Sequence, residues 1–509
     1  MKQKLLIFLA LLSFVSIRTL ADTTCPNTEI WYTSTDGTKL NLTYTDETRA
    51  FGATIESNEY TDGKGIIKFN GNVTSIGESA FLTCPGLKTV TIPNSVTSVG
   101  SSAFMNCTSL ESVQLSTALE TIGNQAFENC SALTSVSIPE GVTSIGNSAF
   151  VNCTSLASVS LPTTLLQINE RTFENCSSLE SIDLKQVTSI GEGAFYKSGL
   201  TSISIPATVK TIGDEAFEEV PLTSVTLAEG LETIGAGAFW AVNITSLDIP
   251  KSVTYIDFDA FYKCSSLATV TMHSIPYLDD EVFDDCASGL TISLTLDDSD
   301  HPFITEDGEY LPEFTSVVYN RSLSAGKYGT IVLPFVPANA NDFVFYEMTG
   351  TGDGYLTFKE VPTASVAAGK PYLYKNADDS SIKTQFTASN ATLTVTSTDP
   401  DVIDGWQMKG ALQKIGPVVN ENYYVISNNI IQNTTGKVTV NPMRAYFENS
   451  GEKAKMQIHI EGESTAIDAI EADNDSGDAH AAIYNLSGQQ VGADYKGIVI
   501  AGGKKFFQK

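Results

Sequence analysis

The sequence has little of what catalytic and metal sites usually require. Its 509 residues include four histidines, which lie in different segments with no carboxylate or thiol at ligand or catalytic spacing: His273, His301, His459 and His480. There is no CxxC pair, no DxDxDG-type loop and no GGxGxD run. We therefore expect no enzymatic activity, no cofactor and no metal site, and we interpret each histidine as a surface residue.

Positive charge is also scarce. The chain has 30 Lys and Arg against 59 Asp and Glu, a formal net charge of −29 with a sequence pI near 4.4. Phosphate groups would be repelled, which excludes nucleic acid as a partner and argues against docking on an anionic membrane. The simplest interpretation of the charge is solubility, and a weakly bound layer of divalent cations is the alternative.

Long apolar runs are lacking after the start of the chain. Lys2 and Lys4 precede an apolar run over residues 5–17, and small residues follow up to Ala21. This pattern is typical of a secretory signal peptide, so we expect cleavage after Ala21 and no membrane span in the mature chain. Cys25 lies four residues beyond Ala21 rather than directly after it, which argues against lipid attachment at this cysteine.

What the sequence has in abundance is one repeated unit. A phenylalanine recurs at intervals of 23 residues four times and then of 22 residues five times: Phe81, Phe104, Phe127, Phe150, Phe173, Phe195, Phe217, Phe239, Phe261 and Phe283. A fixed period of this size is typical of a solenoid. One unit cannot bury its own faces, so neighbouring units must stack and share a core.

Within a unit, the apolar residues fall at the spacing of short strands rather than of a helix. In the unit 110–127 the residues expected to point inward are Leu110, Val113 and Leu115 on a first strand and Leu119 and Ile122 on a second, with a turn at Gly123. The pattern predicts a mainly β fold, in which one face of the solenoid is a continuous parallel sheet.

Seven of the eight cysteines occupy one position of the repeat, three residues after the phenylalanine: Cys84, Cys107, Cys130, Cys153, Cys176, Cys264 and Cys286. Three repeats carry Ser198, Val220 or Val242 there instead, so the position is interpreted as a buried site for a small residue. We expect packed free thiols. A disulfide between adjacent coils is the alternative, although parallel Cβ directions suit it poorly.

The residues that alternate with the inward ones on the first strand should face solvent. They are mostly hydroxyls with two carboxylates, and we take them as a candidate ligand-binding face: Ser112, Gln114, Ser135, Ser158, Ser181, Asp183, Ser202, Ser224, Ser246 and Asp248. Such a face suits hydrogen bonding to a polypeptide or a glycan, and it has no nucleophile with a neighbouring base. The alternative is that a flat sheet merely tolerates hydroxyls.

The last repeats differ by carrying aromatic residues near their turns: Trp240, Tyr255, Phe258, Tyr262 and Tyr277. We expect these side chains to pack in the core beneath a closing cap. A patch that contacts a ligand is the alternative.

The changes in pattern divide the chain into a signal peptide (1–21), an N-terminal cap (22–72), a solenoid of about ten repeats (73–296), a linker (297–323), an all-β domain (324–462), a second linker (463–478) and a C-terminal segment (479–509). In the all-β domain, alternating apolar runs are separated by Gly, Asn and Asp, which predicts a sandwich.

The repeats resemble a known family. The units TIGNQAFENCSALTSVSIP (121–139) and SIGNSAFVNCTSLASVSLP (144–162) are similar to the BspA-like, treponemal-type leucine-rich repeat of bacterial surface proteins. The resemblance implies a leucine-rich-repeat solenoid and extracellular binding or adhesion. The segments 368–373 and 441–447 look like a β module of exported proteins from Gram-negative anaerobes, and the C-terminal segment resembles the sorting signal of type IX secretion.

Three functional hypotheses follow. The first is a secreted or cell-surface protein of a Gram-negative bacterium that binds extracellular or host surface proteins through the solenoid face. The second is a glycan-binding accessory protein in which aromatic residues of the all-β domain stack on sugars: Tyr346, Tyr355, Trp406 and Tyr423. The third is a structural surface component without a specific ligand.

Overall fold

The computed structural model describes residues 24–42, 47–297, 311–321, 323–352, 354–378, 380–393, 397–412, 415–418, 423–427, 429–433, 438–440, 443–449, 456–461, 484–485, 497–501 and 504–508. The described part is almost entirely β, with one helix, Glu47–Phe51, and two 3-10 turns, Ala340–Asp342 and Thr363–Ser365. The prediction of a solenoid followed by a further β domain is confirmed. The signal peptide, the second linker, His301 and His480 lie outside the described residues.

Most coils of the solenoid contain a longer first strand and a two-residue second strand. The first strands are Leu87–Thr91, Ser112–Gln114, Ser135–Ser137, Ser158–Ser160, Ser202–Ile205, Ser224–Leu227, Ser246–Ile249, Thr269–Met272 and Thr291–Asp297. The second strands are Ser75–Ile76, Ser98–Val99, Thr121–Ile122, Ser144–Ile145, Gln167–Ile168, Ser189–Ile190, Thr211–Ile212, Thr233–Ile234, Tyr255–Ile256 and Tyr277–Leu278. Paired strands run parallel and in register, so that Ser135 lies beside Ser158.

The first strands do not form one continuous sheet, so that prediction was wrong. They fall into three groups, with breaks after Ser158–Ser160 and after Ser224–Leu227. At the first break the backbone turns at Lys185, whose φ is 46° and whose N–H donates to Asp183 Oδ1 at 3.0 Å. The change of repeat length from 23 to 22 residues occurs in this same coil, between Phe173 and Phe195.

The repeat phenylalanines form a single stacked ladder through the core. Successive rings from Phe81 to Phe283 lie 5.1–5.6 Å apart between centroids and 1–14° from parallel. All ten side chains are buried. The other inward residues of the unit 110–127 are buried as well, except that Val113 is only half-buried. Each coil therefore covers the apolar face of its neighbour, as the sequence requires.

The turn that carries each phenylalanine has two residues with positive φ, one two positions before the ring and one two positions after it. The first set is Ser79, Ser102, Gln125, Ser148, Arg171, Gly193, Glu215, Gly237, Asp259 and Glu281. The second set is Thr83, Asn106, Asn129, Asn152, Asn175, Lys197, Glu219, Ala241, Lys263 and Asp285. Few of these are glycine or asparagine, the residues that adopt this conformation most readily, so the stacking of coils imposes it on the others.

Glycine follows the second strand in seven coils, and Asn169, Asp257 and Asp279 take this position in the other three. A Cβ on Gly123 would lie 2.5 Å from Ser101 N, and one on Gly146 would lie 2.4 Å from Asn124 N. Contacts this short with backbone atoms cannot be relieved by a side-chain rotation. The glycines at this position are therefore required by the spacing between coils.

The cysteine position is a buried site, as predicted. Cys107 Sγ donates to Phe81 O at 3.0 Å and Cys130 Sγ donates to Phe104 O at 3.2 Å, so each thiol contacts the preceding coil. Burial raises the pKa of Cys84 to about 11 and that of Cys107 further above its ordinary value. These thiols are therefore protonated at neutral pH and are poor nucleophiles. Cys286, at the last coil, is only half-buried.

At the N-terminal end, three strands extend the first sheet: Glu29–Ser34, Ile55–Thr61 and Lys64–Phe69. Glu29–Ser34 pairs antiparallel with Leu87–Thr91 on one side and with Lys64–Phe69 on the other. The ring of Phe51 packs edge-on against Phe81, with centroids 5.9 Å apart. This segment thus covers the first ring of the ladder.

At the C-terminal end, part of the predicted linker is a strand. Phe314–Asn320 pairs parallel with Thr291–Asp297 of the last coil and antiparallel with Gln385–Ala391 of the following β domain. The sheet of the solenoid therefore continues directly into that domain, and residues 314–320 belong to it rather than to a linker.

The β domain has a nine-stranded sheet as its main element. In spatial order its strands are Gly329–Val332, Pro371–Asn376, Phe343–Gly352, Tyr355–Val361, Met456–Ile460, Ile430–Asn433, Tyr423–Ser427, Arg444–Asn449 and Trp406–Ala411. The ring of Phe343 stacks on Phe386 at 4.0 Å, which packs this sheet against the sheet that continues from the solenoid. Two smaller sheets contain Ile415–Val418 with Val438–Val440, and Tyr484–Asn485 with Gly497–Ala501 and Lys504–Gln508.

We predict that Gly123→Ala lowers the free energy of unfolding by about 2 kcal/mol, because the added methyl group clashes with the backbone of the preceding coil. Urea denaturation of the full chain, followed by far-UV circular dichroism, measures the change. The control is Gly86→Ala, where the nearest atom to the added Cβ is Thr35 Oγ1 at 3.8 Å, and we expect no loss of stability there. An equal loss in both variants would show that close approach of the coils is not the cause.

We further predict that Ala241→Gly stabilises the solenoid by about 1 kcal/mol, because Ala241 has a φ of 56°, which an alanine adopts only with strain. The matched control is Ala236→Gly in the same turn, which is also half-buried but has no positive φ. Glycine there should destabilise the chain by about 0.5–1 kcal/mol through backbone entropy. Stabilisation by Ala241→Gly together with destabilisation by Ala236→Gly in urea denaturation would support this account. A change of the free energy of unfolding in the same direction in both variants would contradict it.

Candidate interaction surface

The ten predicted site residues are all exposed. Eight of them lie on first strands, where register places them in columns: Ser112 lies beside Ser135 and Ser135 beside Ser158, and further along Ser202 lies beside Ser224. Neighbouring members of a column are thus about 4.8 Å apart. We call the surface formed by the ten residues the hydroxyl face. The breaks in the sheet divide it into three parts.

Ser181 and Asp183 are exposed but lie outside the strands, at the first break. The Asp183 carboxylate accepts the hydrogen bond from the Lys185 N–H, so its role in the turn accounts for its presence. The serines of the face differ, because none of them has a side-chain hydrogen bond within the described part of the chain. Each hydroxyl can both donate and accept a hydrogen bond, which lets the columns pair with peptide N–H and C=O groups alike.

A histidine and a carboxylate meet at one end of the hydroxyl face. His273 Nε2 lies 2.8 Å from Asp248 Oδ1. The two residues are 25 positions apart in sequence. Asp248 lies on the strand Ser246–Ile249, and His273 directly follows the neighbouring strand Thr269–Met272. The sequence did not indicate this contact, since spacing along the chain does not show which residues adjacent coils bring together.

The same end of the face has a cleft of about 300 Å³. It lies where the last four first strands end, and its polar lining residues are Glu229, Asp248, Lys251, His273, Thr295 and Asp297. Only Asp248 was identified from the sequence. Glu229, Lys251 and His273 follow the ends of their strands, whereas Thr295 and Asp297 lie in the last part of the strand Thr291–Asp297. The repeat pattern has no signal for them.

The aromatic residues of the last coils are not in the core, so the expectation of core packing was wrong. Phe258 is 52% exposed and the other four are half-buried. They occupy outward positions and stack in pairs, Tyr255 on Tyr277 at 5.2 Å and Trp240 near Tyr262 at 6.4 Å. The Lys263 ammonium covers the Trp240 ring at 4.8 Å. The core at this level is filled by the phenylalanine ladder instead.

The aromatic residues proposed for sugar stacking are mostly unsuitable. Tyr346 and Trp406 are buried in the β domain. The ring of Tyr423 packs against Tyr446 with centroids 4.7 Å apart, and Tyr355 is 38% exposed beside His459. Since two of the four rings are core residues, the predicted sugar platform is not formed.

A second cleft, of about 320 Å³, lies on the turns that carry the phenylalanines. Arg171 lines it with Glu174, Glu215 and Glu218. Burial raises the pKa of Glu174 and of Glu218, and the guanidinium of Arg171 lies 3.8 Å from Glu174. In this cleft three carboxylates thus face one guanidinium, which lies within ion-pair distance of Glu174.

Two features are absent from the residues that the structure describes. No group of three or more His, Cys, Asp or Glu side chains there is arranged to hold a metal ion. No helix there has the length and apolar composition needed to cross a bilayer.

Comparison with known sequences supports the repeat assignment. Residues 55–180 and 188–299 match, in six copies, the family described as BspA type leucine rich repeat region. A search of curated protein sequences finds no match.

The chain is also similar to several solved structures. A leucine-rich repeat protein from Bacteroides ovatus is 22% identical over 51% of this chain and 93% of that chain, with a TM-score of 0.24. A leucine rich cell surface protein from Faecalibacterium prausnitzii is 25% identical over 44% and 83%, with a TM-score of 0.24. A leucine rich repeat protein of T. pallidum is 28% identical over 34% and 71%, with a TM-score of 0.26. The stacked coils and the family match identify residues 55–180 and 188–299 as a BspA type leucine rich repeat region.

Proposed function

We propose that this is an exported, cell-surface protein that binds other proteins through the hydroxyl face and has no enzymatic activity. The observation that carries the proposal is the columns of exposed hydroxyls in register on neighbouring coils, such as Ser112, Ser135 and Ser158. A flat array of side chains that both donate and accept matches the repeating polar groups of a polypeptide backbone.

The chemistry of the face favours many weak contacts. It has none of the Trp, Tyr or Arg residues that dominate tight interfaces, and its hydroxyls stand on rigid strands that lose little freedom on binding. Affinity would then come from the number of coils engaged rather than from one anchor. The burial of Tyr346 and Trp406 weighs against the glycan alternative.

Adhesion to extracellular or host surface proteins is the biological role that we propose for this binding. The signal-like residues 1–21 and the sorting-like segment 479–509 support export from a Gram-negative bacterium. The net charge of −29 supports a soluble surface protein and a partner that is not itself strongly acidic.

We predict that the double variant Ser135→Glu, Ser158→Glu binds extracellular-matrix proteins at least tenfold more weakly than the unchanged chain, because two bulky charged side chains then project from the centre of the face. Surface plasmon resonance on a panel of immobilised matrix proteins measures the affinity. Binding of the unchanged chain and of the variant to a glycan array is measured as well.

The matched control is the double variant Thr121→Glu, Ser144→Glu, which adds the same charge to exposed positions of the second strands in the corresponding coils. We expect it to bind as the unchanged chain does. Equal loss in both variants, or binding to glycans alone, would overturn the proposal. Concentration-dependent self-assembly in light scattering, without any ligand, would favour a structural role instead.

A further inference from the structure

The cleft at the C-terminal end of the hydroxyl face is unlike the rest of that face. Its apolar lining is Leu227, Pro250 and Leu296, all of which are buried. Its polar lining includes three carboxylates, those of Glu229, Asp248 and Asp297. The volume of about 300 Å³ is sufficient for one long side chain of a partner.

Two of the carboxylates are held in place. The Asp248 carboxylate is bound by the ring of His273 at 2.8 Å, and the Glu229 carboxylate accepts from the backbone N–H groups of Lys251 at 3.3 Å and Ser252 at 3.2 Å. A carboxylate that is already oriented loses little freedom when a ligand binds, so its attraction for a cation is retained as affinity.

The charges of the lining do not cancel. Apart from the histidine, the carboxylates of Glu229, Asp248 and Asp297 stand against the single ammonium of Lys251, so three negative charges face one positive charge. The chain as a whole is also strongly acidic. A cationic group entering the cleft is therefore attracted, and an anionic one is repelled.

Apolar walls with a negative lining match one kind of side chain. We propose that the cleft receives a lysine or arginine side chain of the polypeptide that lies on the hydroxyl face, with the alkyl stem against Leu227 and Leu296 and the cationic end near Asp248. This inference rests on the proposed function and makes it more specific. The columns of hydroxyls distinguish poorly between partners of different sequence. The cleft would fix the position of the partner along the face and require a lysine or arginine at that position.

The experiment uses the full chain immobilised for surface plasmon resonance and a set of acetylated, amidated peptides Ser-Thr-Ser-X-Ser-Thr-Ser, in which X is Lys, Arg, norleucine or Glu. Norleucine has the length and apolar stem of lysine without its charge. We expect the Lys and Arg peptides to bind about tenfold more tightly than the norleucine peptide, with the Glu peptide weakest. The preference should shrink as salt rises from about 0.05 to 0.5 M, because screening weakens charge attraction.

Asp248→Asn should reduce the preference for Lys over norleucine about fivefold. The matched control is Asp214→Asn, which removes an exposed carboxylate that lies outside both the hydroxyl face and the cleft, and it should leave the preference unchanged. Circular dichroism confirms that both variants are folded.

The possible results separate the two proposals. Equal affinity for the Lys and norleucine peptides, an unchanged preference in Asp248→Asn, or no binding of any peptide would each overturn the assignment of the cleft. A Lys preference that depends on Asp248, together with binding of matrix proteins that the Ser135 and Ser158 substitutions leave unchanged, would support the cleft and overturn binding along the hydroxyl face.

Discussion

The structure depends on the constant separation between one coil and the next. The rings from Phe81 to Phe283 stack at 5.1–5.6 Å, close to the separation of hydrogen-bonded strands, so the aromatic core and the sheets share one spacing. The same spacing accounts for the glycine after the second strand, since a Cβ on Gly123 would meet the coil before it. It also accounts for the thiol that reaches back to a phenylalanine carbonyl. The same separation recurs from coil to coil, which explains why similar residues recur at these positions of the repeat.

The alignment of the outward-facing side chains follows from the packing of the core. Because inward residues must align from coil to coil, the outward residues between them align as well, and hydroxyls such as Ser135 and Ser158 form columns without any contact of their own. Binding surfaces on such a protein can change by substitution at outward positions while the core stays the same. The cleft near Asp248 and His273 lies where the strands end, and there the repeat places no demand on residue type.

The repeat made most of the fold predictable, because periodicity in the sequence reports residues that share one environment. The phenylalanine spacing identified the solenoid, its core and its outward face. It could not identify features that depend on contacts between coils, such as the pairing of His273 with Asp248, or on backbone geometry, such as the positive φ of Ala241. The exposed aromatics of the last coils, including Phe258, were misjudged because apolar character alone does not show which way a side chain points in a turn.

The strand Phe314–Asn320 has a mechanical consequence. It is hydrogen-bonded to the last coil on one side and to Gln385–Ala391 of the β domain on the other. Tension between a ligand held by the coils and an attachment beyond the β domain would therefore load these strands along their length. In that direction many hydrogen bonds must break together rather than one after another. The junction therefore resists shear flow, whereas a flexible loop in its place would extend under the same force.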